Sequence, residues 1–87
     1  PMTQRPAPPE NHYTIHALLA EGFSRSAIHY YRKAEILPPA HGRGRSAYYT
    51  DVHMNILRRI KRARDARQTL SDVREDAQST YAKAFRA

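Results

Sequence analysis

Five histidines and fifteen Lys and Arg side chains are the groups in this sequence with chemistry to offer. Two imidazoles four positions apart, as at His12 and His16, can share a metal ion when one helix carries both. Here His12 precedes the first helix-forming stretch and no acidic cluster joins the pair, while His41 and His53 stand alone. The chain has no cysteine, which excludes thiolate metal sites, disulfides and thiol redox chemistry. No paired carboxylates sit in a plausible pocket, and a chain this short and this charged offers little room for a catalytic cleft. The reading is no enzyme, no metal and no cofactor.

That leaves the cations, whose placement says more than their net charge of +7. Arg5 and Glu10 cancel within residues 1–12, and Arg74, Lys83 and Arg86 cancel Asp72, Glu75 and Asp76 within residues 70–87. The whole excess lies between Tyr13 and Thr69. Solubility alone does not require a single sign, whereas a surface that tracks phosphates does. Double-stranded DNA is the expected partner.

The elements that must present this charge can be read from local signals. Residues 1–12 carry Pro6, Pro8 and Pro9 and few apolar groups, so they are expected to be flexible, with order beginning near Tyr13. Thr14 is a suitable N-cap for the apolar stretch Ile15, Ala17, Leu18, Leu19 and Ala20, and Gly22 suits a left-handed C-terminal position. Ser24 then caps a second helix over Arg25 to Ala34, with Ala27, Ile28 and Tyr31 inward. Helix, tight glycine turn and helix make a helix-turn-helix. Pro38 and Pro39 end regular helix, and Ile36-Leu37 and Ala47-Tyr48-Tyr49 flank a basic tip, His41-Gly42-Arg43-Gly44-Arg45. This composition predicts a β-hairpin wing over 36–49, with an irregular loop as the alternative.

Thr50 and Asp51 begin a third helix with Met54, Leu57, Ile60 and Ala63 facing the core and Arg58, Arg59, Lys61, Arg62 and Arg64 around the rest. From Thr69 or Ser71 a further helix carries Leu70, Val73, Ala77, Tyr81 and Ala84 as a stripe. That stripe suits packing back on the module or a homodimer seam through residues 70–87. No apolar run approaches the ~20 residues of a membrane span, and no signal peptide is visible. A cytoplasmic location without membrane contact is expected. Pro1 before Met2 reads as an added residue, with Met2 as the native start.

A set of short motifs occurs in a definite order. Tyr13-x-Ile15 opens the first helix, Gly22-Phe23-Ser24 makes the turn, and Ile28-His29-Tyr30-Tyr31 lies in the second helix. Leu37-Pro38-Pro39 follows, Tyr49-Thr50-Asp51 leads into the third helix, and Leu57, Ile60, Ala63 and Leu70 keep register down to Val73. Taken together, Tyr13 to Val73 resembles the N-terminal winged-helix domain of MerR-type transcription regulators. The fold this implies is mainly α: a winged helix-turn-helix of about four helices with one small β-hairpin wing. Residues 13–77 would form the DNA-binding domain and 78–87 a C-terminal helical extension for a partner or dimer contact.

The resemblance also implies sequence-specific binding on the bacterial nucleoid. A recognition helix, residues 24–34, would lie in the major groove, with a wing, residues 40–47, on the flanking backbone. Many family members dimerise through a long helix after this domain, and they act on promoters bound by RNA polymerase. Two positions of the family's Arg-x-x-Arg-Tyr-Tyr are Ser26 and His29 here, with Arg25 displaced by one. Glu35 stands at the glycine after the second helix, and Arg45-Ser46-Ala47 at the wing's Gly-Tyr-Arg, so Arg43 and Arg45 take the phosphate-binding task.

The expected DNA-facing set is therefore Thr14, Ser24, Arg25, Ser26, His29, Tyr30, Arg32, Lys33, Arg43, Arg45, Tyr49 and Arg58. Arginine reads guanine bidentately, while short polar groups and helix N-termini favour phosphate. Arg32 and Lys33 also offset the helix dipole, and Tyr49 is chosen over Tyr48 from the family register. Two other readings stand beside this one: an architectural DNA-binding protein of the phage excisionase or terminase type, and a protein-interaction adaptor using the C-terminal helix.

Overall fold

The computed structural model describes residues 12–86, so the segment expected to be flexible falls almost entirely outside the described residues. In chain order the elements are α1 (Ile15–Ala20), α2 (Arg25–Lys33), a single 3-10 turn (Gly44–Ser46), α3 (Asp51–Asp65), α4 (Leu70–Thr80) and α5 (Ala82–Phe85). Helices start where polar caps were read. The Ser24 hydroxyl accepts the Ala27 N–H at 3.0 Å, Thr69 accepts that of Asp72 at 3.1 Å, and Thr50 accepts that of Val52 at 3.3 Å. Thr14 holds the N-cap position of α1 in extended backbone, yet its side chain makes no bond to the helix.

Three helices end on left-handed residues. Gly22, at φ 104°, follows α1 and turns the chain into α2. Glu35, at φ 60°, follows α2, with its N–H on the Arg32 carbonyl and the Ile36 N–H on that of Tyr31. Arg67, also at φ 60°, repeats this double bond after α3, through Arg64 and Ala63. Both are Schellman closures, and both place a charged side chain where glycine is the usual occupant. Glu35, which the resemblance aligns with a glycine, thus adopts the left-handed backbone that glycine favours.

One core joins all of this. Leu18, Leu57, Ile60, Ala63 and Val73 are wholly buried, with Ile28, Ile36, Leu37, Ile56 and Ala77 beside them. Each large aliphatic group removed from water contributes about 2 kcal/mol. Phe23 meets Tyr31 edge-on, with centroids 6.0 Å apart, which locks the turn onto α2. Val73 and Ala77 face inward, so α4 packs back on α3 rather than leaving its stripe bare. The backbone breaks at Tyr81, at φ −119° and ψ 40°, so the expected single last helix is two, α4 and the short α5.

The predicted β-hairpin is not formed. Among the described residues there is no strand, only isolated antiparallel bridges between Tyr13 and Tyr49 and between His41 and Tyr48. The reason lies in what the flanking segments already bond. The N–H groups of Ile36 and Leu37 both go to the Tyr31 carbonyl, and their side chains fill the core. Pro38 and Pro39 bring no N–H to a ladder. What remains is a loop closed at His41 and Tyr48 by two backbone bonds of 2.9 and 2.8 Å, with the 3-10 turn at its tip.

Candidate nucleic-acid interface

Helix α2 has one buried and one open side. Ile28 and Tyr31 point inward, while Arg25, Ser26, His29, Tyr30, Arg32 and Lys33 are exposed. At 100° per residue, positions 26, 29, 30 and 33 share one face, with Arg25 at its N-terminal edge. A helix with its side chains is about 10–12 Å across, which matches the ~12 Å width of a B-DNA major groove. Tyr30 is 57% exposed and is the one large hydrophobic side chain so open among the described residues. A core does not use it, and its ring and hydroxyl suit a thymine methyl or a phosphate.

The loop after α2 is shaped by two glycines. Gly42 has φ 77°, and a Cβ there would meet the Ser46 carbonyl oxygen at 2.9 Å, so only glycine fits this turn. Ser46 donates its backbone N–H and its hydroxyl to the Arg43 carbonyl at 3.0 and 2.8 Å, and Ala47 N–H binds that of Gly44 at 3.1 Å. The tip is therefore a small closed turn with Arg43 and Arg45 both exposed on it. Its base is aromatic. Tyr48 stacks with His12 at 3.9 Å and with His41 at 5.2 Å between centroids.

Of the two adjacent tyrosines, the one chosen for DNA from the family register, Tyr49, is the more buried. Tyr49 is 8% exposed, bridged by backbone to Tyr13 and set edge-on against His53 at 5.1 Å. Tyr48 is the half-exposed one. Tyr13 closes the same corner by donating its hydroxyl to Asp51 at 2.6 Å, which ties the start of α1 to the start of α3.

His53 is the group that sequence reasoning passed over. It is fully buried, and its Nδ1 lies 3.1 Å from the Thr50 backbone nitrogen. Its Nε2 lies 3.1 Å from the carbonyls of both Pro38 and Pro39, binding α3 to the loop's entry. A backbone N–H can only donate, so Nδ1 accepts and the proton sits on Nε2. Burial pushes the His53 pKa below its ordinary value, helped by His41 and Arg32 nearby, and outweighs the two carbonyl bonds that favour the charged form. The signal was present as Thr50-x-x-His53, the spacing of a capping box with histidine in place of glutamate.

The cations sort into two groups. On α3, Arg58 lies 3.6 Å from the Glu21 carboxylate, and Lys61 lies 3.9 Å from it while donating to the Glu21 carbonyl at 2.8 Å. Arg59 meets Asp76 at 3.4 Å and Gln68 at 3.0 Å. By contrast, Arg25, Arg32, Lys33, Arg43 and Arg45 form no ion pair with any described residue, and neither do Arg62 and Arg64 of α3. Of the expected DNA-facing residues, eleven are exposed and only Tyr49 is buried, whereas Arg58 already has an acidic neighbour.

No group of three or more His, Asp or Glu side chains that could hold a metal ion exists among the described residues. No described helix is long and apolar enough to cross a membrane. A family model for MerR HTH family regulatory proteins matches residues 13–79. No curated protein and no solved structure matches the chain.

Proposed function

This chain belongs to the MerR HTH family of regulatory proteins, DNA-binding transcription regulators, and we propose that α2 is its reading head. In this reading the open face of α2 enters the major groove of double-stranded DNA. Arg25, Ser26, His29 and Tyr30 meet base edges, and Ser24 and Thr14 lie against phosphate. Arg43 and Arg45, on the closed 3-10 loop that takes the wing's place, hold the flanking backbone beside Arg32 and Lys33. The observation that carries it is the charge left open on α2 and the loop: Glu21 and Asp76 engage Arg58, Arg59 and Lys61 of α3, whereas no described carboxylate engages a cation of α2 or the loop.

Arg58 is proposed as a backbone contact secondary to these, because Glu21 competes for it. Tyr49 would act through the loop's position rather than through its buried ring, and Tyr48 is the tyrosine placed to touch phosphate. Further partners proposed are RNA polymerase at a promoter and a second copy of the chain through residues 70–87. With Val73 and Ala77 buried in the module, such a seam has to use the outer residues of α4 and α5.

The test is fluorescence anisotropy of labelled random-sequence duplex at a low and at a physiological salt concentration. Five phosphate-facing cations predict a slope of log affinity against log salt of roughly −4 to −5. Salt-steep binding would justify selecting an operator from a random library. A flat response, or no binding at low salt, refutes the assignment of α2 and the loop.

A further inference from the structure

At the C-terminal end of α2, the chain folds a concavity that shares only its cationic border with the DNA reading. A groove of about 530 Å³ lies between α2, the Leu37–Pro39 stretch and α5. That is within the ~300–1,000 Å³ range in which small-molecule sites fall. Apolar groups line it: Leu37, which is 1% exposed, with Pro39, Ala82 and Phe85. His29, Arg32 and Lys33 border it from α2.

These cations are not occupied by the protein itself. Cations at a helix end ordinarily answer its exposed carbonyls. Here backbone donors already take them: Ala34 binds Tyr30, Glu35 binds Arg32, and Ile36 and Leu37 both bind Tyr31. Glu35, the one carboxylate on the lining, is not within ion-pair distance of Arg32 or Lys33. The groove is also held open. Gln78 Nε2 donates to the Glu35 carbonyl at 2.7 Å, pinning α4 to the end of α2.

We propose that this groove binds a small organic anion, a carboxylate or sulfonate on an aromatic or aliphatic body. The apolar part lies against Phe85, Ala82 and Pro39, over the buried Leu37, and the anionic head meets Arg32 and Lys33. Arginine's planar fork suits a carboxylate or sulfonate better than a hydrated point charge would. A purely apolar ligand would leave the cations unanswered, and a bare inorganic anion would leave the apolar wall wet. Because Arg32 and Lys33 also face DNA in the reading above, ligand and duplex compete for them. That competition rests on the proposed role of α2, whereas the groove itself does not.

The experiment uses the full chain and the probe anilinonaphthalene sulfonate, followed by its emission and by amide shifts in a 15N-labelled sample. Saturable binding of one probe is expected, with shifts gathered at Arg32, Lys33, Gln78 and Phe85. The double variant R32Q/K33Q, whose changes are on the surface, should bind about tenfold more weakly while its circular dichroism stays native. F85A supplies a second, apolar variant expected to weaken binding likewise. Unchanged affinity in both variants, or shifts centred elsewhere, overturns the site. Duplex DNA added to the loaded protein should release the probe, and duplex that binds without releasing it overturns the competition. A protein that binds the probe in the groove but binds no duplex leaves the site standing and refutes the DNA-facing role of α2 instead.

Discussion

His53 and Thr50 satisfy one another: the imidazole Nδ1 accepts the Thr50 backbone N–H at 3.1 Å and lies 3.3 Å from the threonine hydroxyl. The opposite ring nitrogen reaches the two proline carbonyls that start the loop. One neutral side chain therefore starts α3 and fixes the entry of the segment proposed to carry Arg43 and Arg45 to phosphate. That arrangement needs Nδ1 unprotonated.

The first expectation is a pH dependence of stability. Because burial lowers the folded-state pKa of His53, the unfolded chain binds this proton more readily than the native one. The contribution is complete above the unfolded value of about 6.5 and is lost as pH falls from there through the lowered folded value. Thermal melts between pH 8 and 5 should show the loss in the native sequence and less of it in H53Q. That glutamine can still accept the Thr50 N–H, but it does not titrate. Parallel decline in both proteins would assign the pH effect to other groups.

A second expectation concerns the left-handed closures. E35G and R67G should each raise stability by about 0.5–1 kcal/mol, since glycine takes φ near 60° without steric cost. For a chain of this size that is a rise of a few degrees in Tm. E35A keeps the Cβ and should gain nothing. Equal behaviour of alanine and glycine at position 35 would show that the backbone is not strained there.

Third, R43A/R45A should weaken binding to all duplexes about equally and make the salt slope shallower by about two phosphates' worth. R59A is the matched control, because its guanidinium already serves Asp76 and Gln68. It should change stability by no more than about 1 kcal/mol and leave DNA affinity near that of the parent. Lost discrimination in R43A/R45A, with unspecific affinity intact, would mean the loop reads bases.

Fourth, once an operator has been selected, R25A should reduce preference for it over random duplex by about 1–3 kcal/mol. Unspecific affinity should fall much less. A change of equal size for both duplexes would move Arg25 from base reading to phosphate contact. S24A separates capping from contact: the lost bond to Ala27 costs about 1 kcal/mol in a denaturant titration, whether or not DNA is present.

Much of this protein was legible before its structure. The starts of α2, α3 and α4 follow from Ser24, Thr50 and Thr69, and the inward face of α3 follows from Met54, Leu57, Ile60 and Ala63. These are local matters, because a cap bonds two or three residues away and a helix face repeats every 3.6 residues. The segregation of charge to Tyr13–Thr69 was equally plain, since it needs only counting. The open side of α2 follows from its own inward pair, Ile28 and Tyr31.

Tertiary structure decided what depends on partners far along the chain. Strand-like composition on both sides of a glycine-arginine tip suggested a hairpin, but Ile36 and Leu37 were already bonded to the end of α2 and filling its core. Which of Tyr48 and Tyr49 turns inward depended on Tyr13, some three dozen positions earlier, which bridges one and not the other. His53 looked solitary because its proline carbonyls lie 14 and 15 residues away. Arg58 and Arg59 of α3 looked free because Glu21 and Asp76 come to them from the end of α1 and from α4. Patterns carried by neighbouring residues determine where helices begin and which way they face. Which polar groups remain unpartnered is decided only when those helices meet, because a hydrogen bond or ion pair needs an approach of a few ångströms and takes no account of distance along the chain.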